Sequence, residues 1–161
     1  MRTVHINNIQ IANNLPFTLI AGPCQTESLD HSLMIAGNIK RICDKLGIPF
    51  IYKSSFDKAN RSSNAGKRGI GMDKTLEIFK EVKQQFACPI LTDIHNEAQC
   101  ELLSDNPFVD ILQVPAFLCR QTDLLKAAAK TNKVINIKKG QFLAPWDAAN
   151  IVQKMDDFGK K

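Results

Sequence analysis

Apolar residues fall along this chain in short continuous runs, each followed by a longer stretch with an apolar position every three or four residues. The runs at 17–21, 48–53, 89–92, 109–114 and 134–137 have strand length and read as buried strands. Helices are predicted at 28–46, 72–86, 97–103, 122–130 and 146–158. The first sets Leu29, Leu33, Ala36, Ile39, Ile42, Cys43 and Leu46 on one face and stops at Gly47; the second turns Leu76, Phe79, Val82 and Phe86 inward. Ahead of this rhythm, residues 4–11 alternate around Asn7-Asn8, the pattern of a small hairpin, because asparagine tolerates the turn conformation. The predicted class is α/β, with a parallel sheet covered on its faces.

Two architectures fit a βαβα rhythm, an open doubly wound sheet and a (β/α)8 TIM barrel. The polar residues choose between them. Cys24 and Gln25 lie just past the first strand, and Lys53 and Ser55 end the second. Asp93 and His95 follow the third, Gln113 lies in the last turn of the fourth, and Lys138, Lys139 and Gln141 end the fifth. A barrel brings every C-terminal strand end to one mouth, whereas an open sheet concentrates function at its switch point. No Gly-x-Gly-x-x-Gly follows the first strand. The barrel is therefore favoured. A full barrel has eight strands and about 250 residues, so this chain is expected to cover the first five βα units (15–161) behind a hairpin cap (1–14), as a single domain.

Composition narrows the function. The 161 residues are 44% hydrophobic and 23% charged, with a formal net charge of +5, which suits acidic partners. Nucleic acid is set aside, because the chain has no aromatic-basic repeat and no zinc-finger spacing. Five cysteines without a Cys-x-x-Cys pair argue against a disulfide framework and for a reducing compartment. No apolar run approaches membrane-spanning length, so the expectation is a cytoplasmic enzyme.

The chemistry concentrates after the second strand. Residues 53–63 read Lys-Ser-Ser-Phe-Asp-Lys-Ala-Asn-Arg-Ser-Ser, and the loop carries Lys58, Arg61, Lys67 and Arg68 against the single acid Asp57 before Gly69 and Gly71 close it. Arginine offers a planar fork to phosphate and lysine a compact charge. Lys53 and Lys138 each continue a buried strand into the expected mouth. Lys67 and Lys139 are read as solvated, and Lys74, Lys80 and Lys83 as an exposed helix face. Arg120 has Asp123 as a structural partner at a helix start. One thiolate does not make a metal site, since catalytic centres use about three protein ligands.

Five blocks carry a resemblance. They are Ala21-Gly22-Pro23-Cys24, residues 53–63, Leu91-Thr92-Asp93-Ile94-His95, residues 113–124 (QVPAFLCRQTDL) and residues 135–142 (INIKKGQF). In this order and spacing they resemble the 3-deoxy-D-manno-octulosonate 8-phosphate synthases, TIM-barrel transferases of lipopolysaccharide biosynthesis. The resemblance implies an aldol-type condensation of phosphoenolpyruvate with arabinose 5-phosphate. C3 of phosphoenolpyruvate joins the sugar aldehyde, water adds at C2, and phosphate leaves by carbon–oxygen cleavage. It places Lys53, Ser55, Gln113, Ala116 and Lys138 around phosphoenolpyruvate, with Lys138 on its phosphate, and Gln141 beside them. Lys58, Asn60, Arg61 and Ser62 would receive the sugar phosphate, and Asp93 would order polar partners near the reacting atoms.

Cys24 matches the cysteine of the metal-dependent branch, which implies a divalent metal whose other ligands lie beyond these five units. A homotetramer acting on small phosphorylated metabolites is implied as well. The alternatives are a related synthase using erythrose 4-phosphate and a fragment with no catalysis of its own, since 161 residues alone are not expected to turn over.

Overall fold

The computed structural model of the chain describes residues 2–159. They form two compact units. One holds the described residues up to Thr92 together with Phe108–Asp110; the other holds Asp93–Pro107 and the described residues from Ile111 onward.

The first unit begins with the expected hairpin, β1 (Val4–Ile6) against β2 (Ile9–Ile11), paired antiparallel with Ile6 opposite Ile9. Asn7 takes the left-handed turn conformation (φ 52°) and both isoleucines are buried. Then come β3 (Leu19–Ala21), α1 (Leu29–Leu46), β4 (Phe50–Lys53), α2 (Met72–Phe86) and β5 (Ile90–Asp93). The strands pair parallel in chain order, Leu19 beside Phe50 and Tyr52 beside Ile90. Ile51, Tyr52, Ile90 and Leu91 are inaccessible to solvent, and Phe79 and Val82 of α2 are equally buried. Tyr52 meets Phe79 edge-to-face at 6.2 Å between ring centroids, the orientation that the ring quadrupoles favour.

Helix α1 starts where Ser28 accepts the His31 N–H (3.2 Å) and ends at the left-handed Gly47. Its buried stripe is narrower than expected. Ser32, Ala36 and Cys43 are buried, while Leu29, Ile42 and Leu46 are exposed. The contact face of the helix is centred on its small residues, which leaves the larger ones at the flanks. In α2 the core is Thr75, Ile78, Phe79 and Val82, with Leu76 and Phe86 half-buried.

A second difference concerns Lys83 and Asp110. Lys83 does not belong to an exposed face; its Nζ contacts both Asp110 oxygens at 2.7 and 2.8 Å, and Asp110 also accepts the Ile90 N–H at 2.8 Å. The acid sits just before the fourth parallel strand and pins the start of β5.

The second unit contains α3 (Glu97–Ser104), β6 (Ile111–Val114), a 3-10 turn at Ala116–Leu118, α4 (Thr122–Ala129), β7 (Val134–Ile137), a second 3-10 turn at Pro145–Asp147, and α5 (Ala148–Asp157). Strands β6 and β7 pair parallel from Ile111 beside Val134 to Val114 beside Ile137. Leu103, Ile111, Leu112, Val114 and Leu125 form its buried centre. Each unit is thus α/β with parallel strands, and the longest strand-to-helix connection is the loop after β4. Arg120 does not pair with Asp123; instead its carbonyl lies 3.4 Å from Lys154 Nζ, which also donates to Thr122 Oγ1 at 2.7 Å.

One glycine fixes how two strand exits pass each other. A Cβ on Gly22 would lie 2.0 Å from the Lys53 carbonyl oxygen, so the chain leaving β3 runs directly against the end of β4. Gly22→Ala is expected to lower stability by about 1–3 kcal/mol or more, as overpacking does. Urea unfolding of the two chains measures it; an unchanged midpoint would contradict this contact.

Candidate active site

The end of β4 is held rigidly before any charge is considered. The Ser54 N–H donates to Leu91 O (3.2 Å), and Ser55 O accepts the Thr26 N–H (2.9 Å). Thr26 Oγ1 and Ser54 Oγ are 2.9 Å apart, and all three hydroxyl residues are buried. On this platform Lys53 Nζ donates to Ser55 Oγ at 3.2 Å, and Lys58 Nζ donates to the same oxygen at 2.8 Å. A serine oxygen has two acceptor positions and one O–H donor. With both acceptor positions taken by ammonium groups, the hydroxyl can only donate to anything further. Two cations and an O–H donor at one half-buried point make an anion-binding constellation.

The loop geometry brings Lys58 back to Ser55. Phe56 is buried, the Lys58 N–H donates to Arg68 O (2.6 Å), and the Gly71 N–H donates to Phe56 O (3.2 Å). Gly69 permits the return: its φ is +118°, and a Cβ there would stand 2.5 Å from Phe56 O. Arg68 is committed elsewhere, forking onto Asp57 at 2.8 and 2.5 Å. That carboxylate raises the guanidinium pKa further by its hydrogen bonds and its charge. The one acid of the loop is thus forked onto Arg68.

Arg61 is exposed but oriented. Its Nε donates to Lys67 O at 2.9 Å and its Nη2 to Gln25 Oε1 at 2.8 Å. Gln25, buried just after β3, was not assigned this task from the sequence; nothing in a lone glutamine after a strand marks it as an arginine holder. Asn60 and Ser62 beside it are exposed.

In the second unit, three strand ends are joined by side chains. Asn136 on β7 donates from Nδ2 to Gln113 Oε1 on β6 at 2.8 Å, and Gln113 Nε2 donates in turn to Asp93 Oδ1 at the end of β5. Asp93 is buried, and Gln113 and Asn136 are half-buried. The Lys138 N–H extends the ladder to Val114 O (3.1 Å), with its side chain exposed, as is that of Gln141; Ala116 is half-buried. Lys139 is not simply solvated: its Nζ closes the following loop onto Gly140 O and Leu143 O at 2.7 and 2.8 Å. His95 is half-buried, and its N–H donates to Gln99 Oε1. A cavity of about 300 Å³ lies elsewhere in this unit, lined by Arg120, Leu143, Asp147, Asn150, Ile151 and Lys154.

Cys24 is the exposed thiol; the other four are buried. Among the described residues no three His, Cys, Asp or Glu side chains are grouped to hold a metal. Cys24 by itself does not make a metal centre. Among the described residues, no helix is long and apolar enough to cross a membrane.

Burial pushes the Cys88 and Cys100 thiols up to about 11 and raises that of Cys43, which suppresses their reactive thiolates near neutral pH. At pH 8 an aromatic disulfide reagent is expected to label one thiol of the native chain rapidly and five after denaturation. Cys24→Ser should remove the fast phase; a fast phase that survives it would contradict the assignment.

Comparison with known proteins places the chain. The model of the DAHP synthetase I family matches residues 2–161. The chain is 59% identical over 160 residues to the 2-dehydro-3-deoxyphosphooctonate aldolase of Rickettsia prowazekii (strain Madrid E), and 58% identical to the protein of that name in Rickettsia bellii (strain OSU 85-389). In each case 99% of this chain is covered, and the chain spans 58% of the relative's length. With a match of this extent, the chain belongs to the DAHP synthetase I family.

Proposed function

We propose that the chain carries strand ends of a (β/α)8 synthase that condenses phosphoenolpyruvate with arabinose 5-phosphate and water, giving 3-deoxy-D-manno-octulosonate 8-phosphate and phosphate. The observation that carries this reading is the convergence of Lys53 and Lys58 on Ser55, in a chain whose relatives are named 2-dehydro-3-deoxyphosphooctonate aldolase.

The reaction brings two phosphorylated anions together against their mutual repulsion, and fixed cations offset that repulsion without reorganising during the reaction. In the proposed assignment Lys53, Ser55, Gln113, Ala116 and Lys138 hold phosphoenolpyruvate, with Gln141 nearby. Arg61 and Ser62 take the sugar phosphate, and Asn60 and Lys58 face the sugar. Arg61 supports this role, because Gln25 and the Lys67 carbonyl fix one side of its fork and leave Nη1 for an oxyanion. Asp93, presented by β5, accepts hydrogen bonds and orders polar groups near the aldehyde. C3 of phosphoenolpyruvate attacks the aldehyde carbon, water adds to C2, and the C2–O bond breaks to release phosphate. Cys24 is proposed as one ligand of a divalent metal completed by residues other than those described; a homotetramer and a cytoplasmic setting are proposed on the same resemblance.

Two measurements test this reading. Lys53→Met should weaken phosphoenolpyruvate binding to the chain by about tenfold or more, the effect of losing a charge-assisted hydrogen bond; calorimetric titration reads it, and equal affinity would contradict the assignment. For the substrate, the chain is grafted in place of the matching segment of the Rickettsia prowazekii relative, and phosphate release is followed with each sugar. Turnover with arabinose 5-phosphate well above that with erythrose 4-phosphate is expected. The opposite preference would favour the erythrose 4-phosphate synthase.

A further inference from the structure

Hydrogen-bond polarity along the three strand ends of the second unit has only one self-consistent direction. An ionised carboxylate accepts and cannot donate, so Gln113 must turn its NH2 to Asp93. Its carbonyl then faces β7, where Asn136 must supply an NH2. The observed contacts follow that order, Asn136 Nδ2 to Gln113 Oε1 at 2.8 Å and Gln113 Nε2 to Asp93 Oδ1. Gln113 and Asn136 are direct neighbours in the parallel register, so the backbone holds them side by side. The side-chain oxygen of Gln113 is turned towards Asn136 in this arrangement. The second N–H of its Nε2 has no protein partner among the described residues. Gln113 therefore presents a donor, and not an oxygen, to an incoming ligand.

We propose that Asn136 is a positioning and specificity-determining residue, which locks the Gln113 carboxamide with its N–H outward so that β6 offers a hydrogen-bond donor to an anionic reactant. This rests on the assignment of Gln113 to the phosphoenolpyruvate site. A flipped Gln113 would aim its carbonyl oxygen at the carboxylate or phosphate and repel it. Asn136 touches neither reactant in this scheme; it acts through Gln113.

The relay makes a counterintuitive ranking of substitutions. Asn136→Ala removes one donor but leaves Asp93 to orient Gln113. Asn136→Asp keeps the size and shape, yet its carboxylate repels the Gln113 oxygen and competes with Asp93 for the NH2, so the amide no longer has one preferred orientation. The isosteric change is thus expected to be the more damaging one. If Asn136 merely filled space, the order would be reversed.

The test uses the full chain and has two readouts. The first needs no ligand. The Gln113 carboxamide cross-peaks in the 1H–15N spectrum should shift strongly in Asn136→Asp, with proximity signals divided between residues 93 and 136, and should keep their proximity to residue 93 in Asn136→Ala. The second is phosphoenolpyruvate affinity by calorimetry. Asn136→Asp should weaken binding about tenfold or more, and Asn136→Ala only about threefold or less, as expected when a donor to a charged ligand becomes an acceptor rather than losing one neighbour.

The added charge in Asn136→Asp is separated by a double-mutant cycle with Gln113→Ala. Within the Gln113→Ala chain, Asn136→Asp should lose most of its effect. A full, additive effect there would assign the loss to charge alone and overturn the proposal. Unmoved Gln113 cross-peaks in Asn136→Asp would overturn it as well. If the unsubstituted chain binds no phosphoenolpyruvate, the assignment of the site fails, while the carboxamide spectra still decide the relay.

Discussion

Two ammonium groups, those of Lys53 and Lys58, converge on the single hydroxyl of Ser55. That arrangement at the end of β4 is what the surrounding structure maintains. The hydroxyl platform of Thr26 and Ser54 fixes the backbone below it, Gly22 lets the exit of β3 close against it, and the buried Phe56 with the left-handed Gly69 returns Lys58 to it. The neighbouring acid, Asp57, forks onto Arg68. A bound anion would meet donors already held in place, which is the logic of a preorganised electrostatic site.

The second unit solves a complementary problem. A buried carboxylate needs donors, and Asp93 obtains one from Gln113, which in turn takes one from Asn136. Charge in the first unit and amide polarity in the second thus reach the same end by different means. Each presents hydrogen-bond donors at the C-terminal ends of parallel strands. The relatives bear the name 2-dehydro-3-deoxyphosphooctonate aldolase, and donors at these strand ends are what the proposed function asks for.

Much of this was legible in the sequence because it depends on local pattern. Ser28 and Gly47 bound α1 by capping chemistry that any helix end requires, and the apolar run before Lys53 delivers that lysine to a strand end regardless of tertiary detail. What escaped depends on register. Lys83 looked like one of several exposed helix lysines until Asp110 came beside it, 27 residues away in sequence. Gln25 and Asn136 carry no local signature either; each gains its meaning from a partner on a neighbouring segment. The exposed Leu29, Ile42 and Leu46 show the same limit, since periodicity identifies an apolar face but not which part of it meets a neighbour.

The central claim is that Lys53, Ser55 and Lys58 form the seat of an anionic reactant. Crystals of the chain soaked with phosphoenolpyruvate test it most directly. The account predicts density for an anionic group within hydrogen-bond distance of the Lys53 ammonium group and the Ser55 hydroxyl, on the side that faces Lys58. Density confined to another place, such as the cavity between Arg120 and Lys154, with the lysine pair left empty, would contradict it.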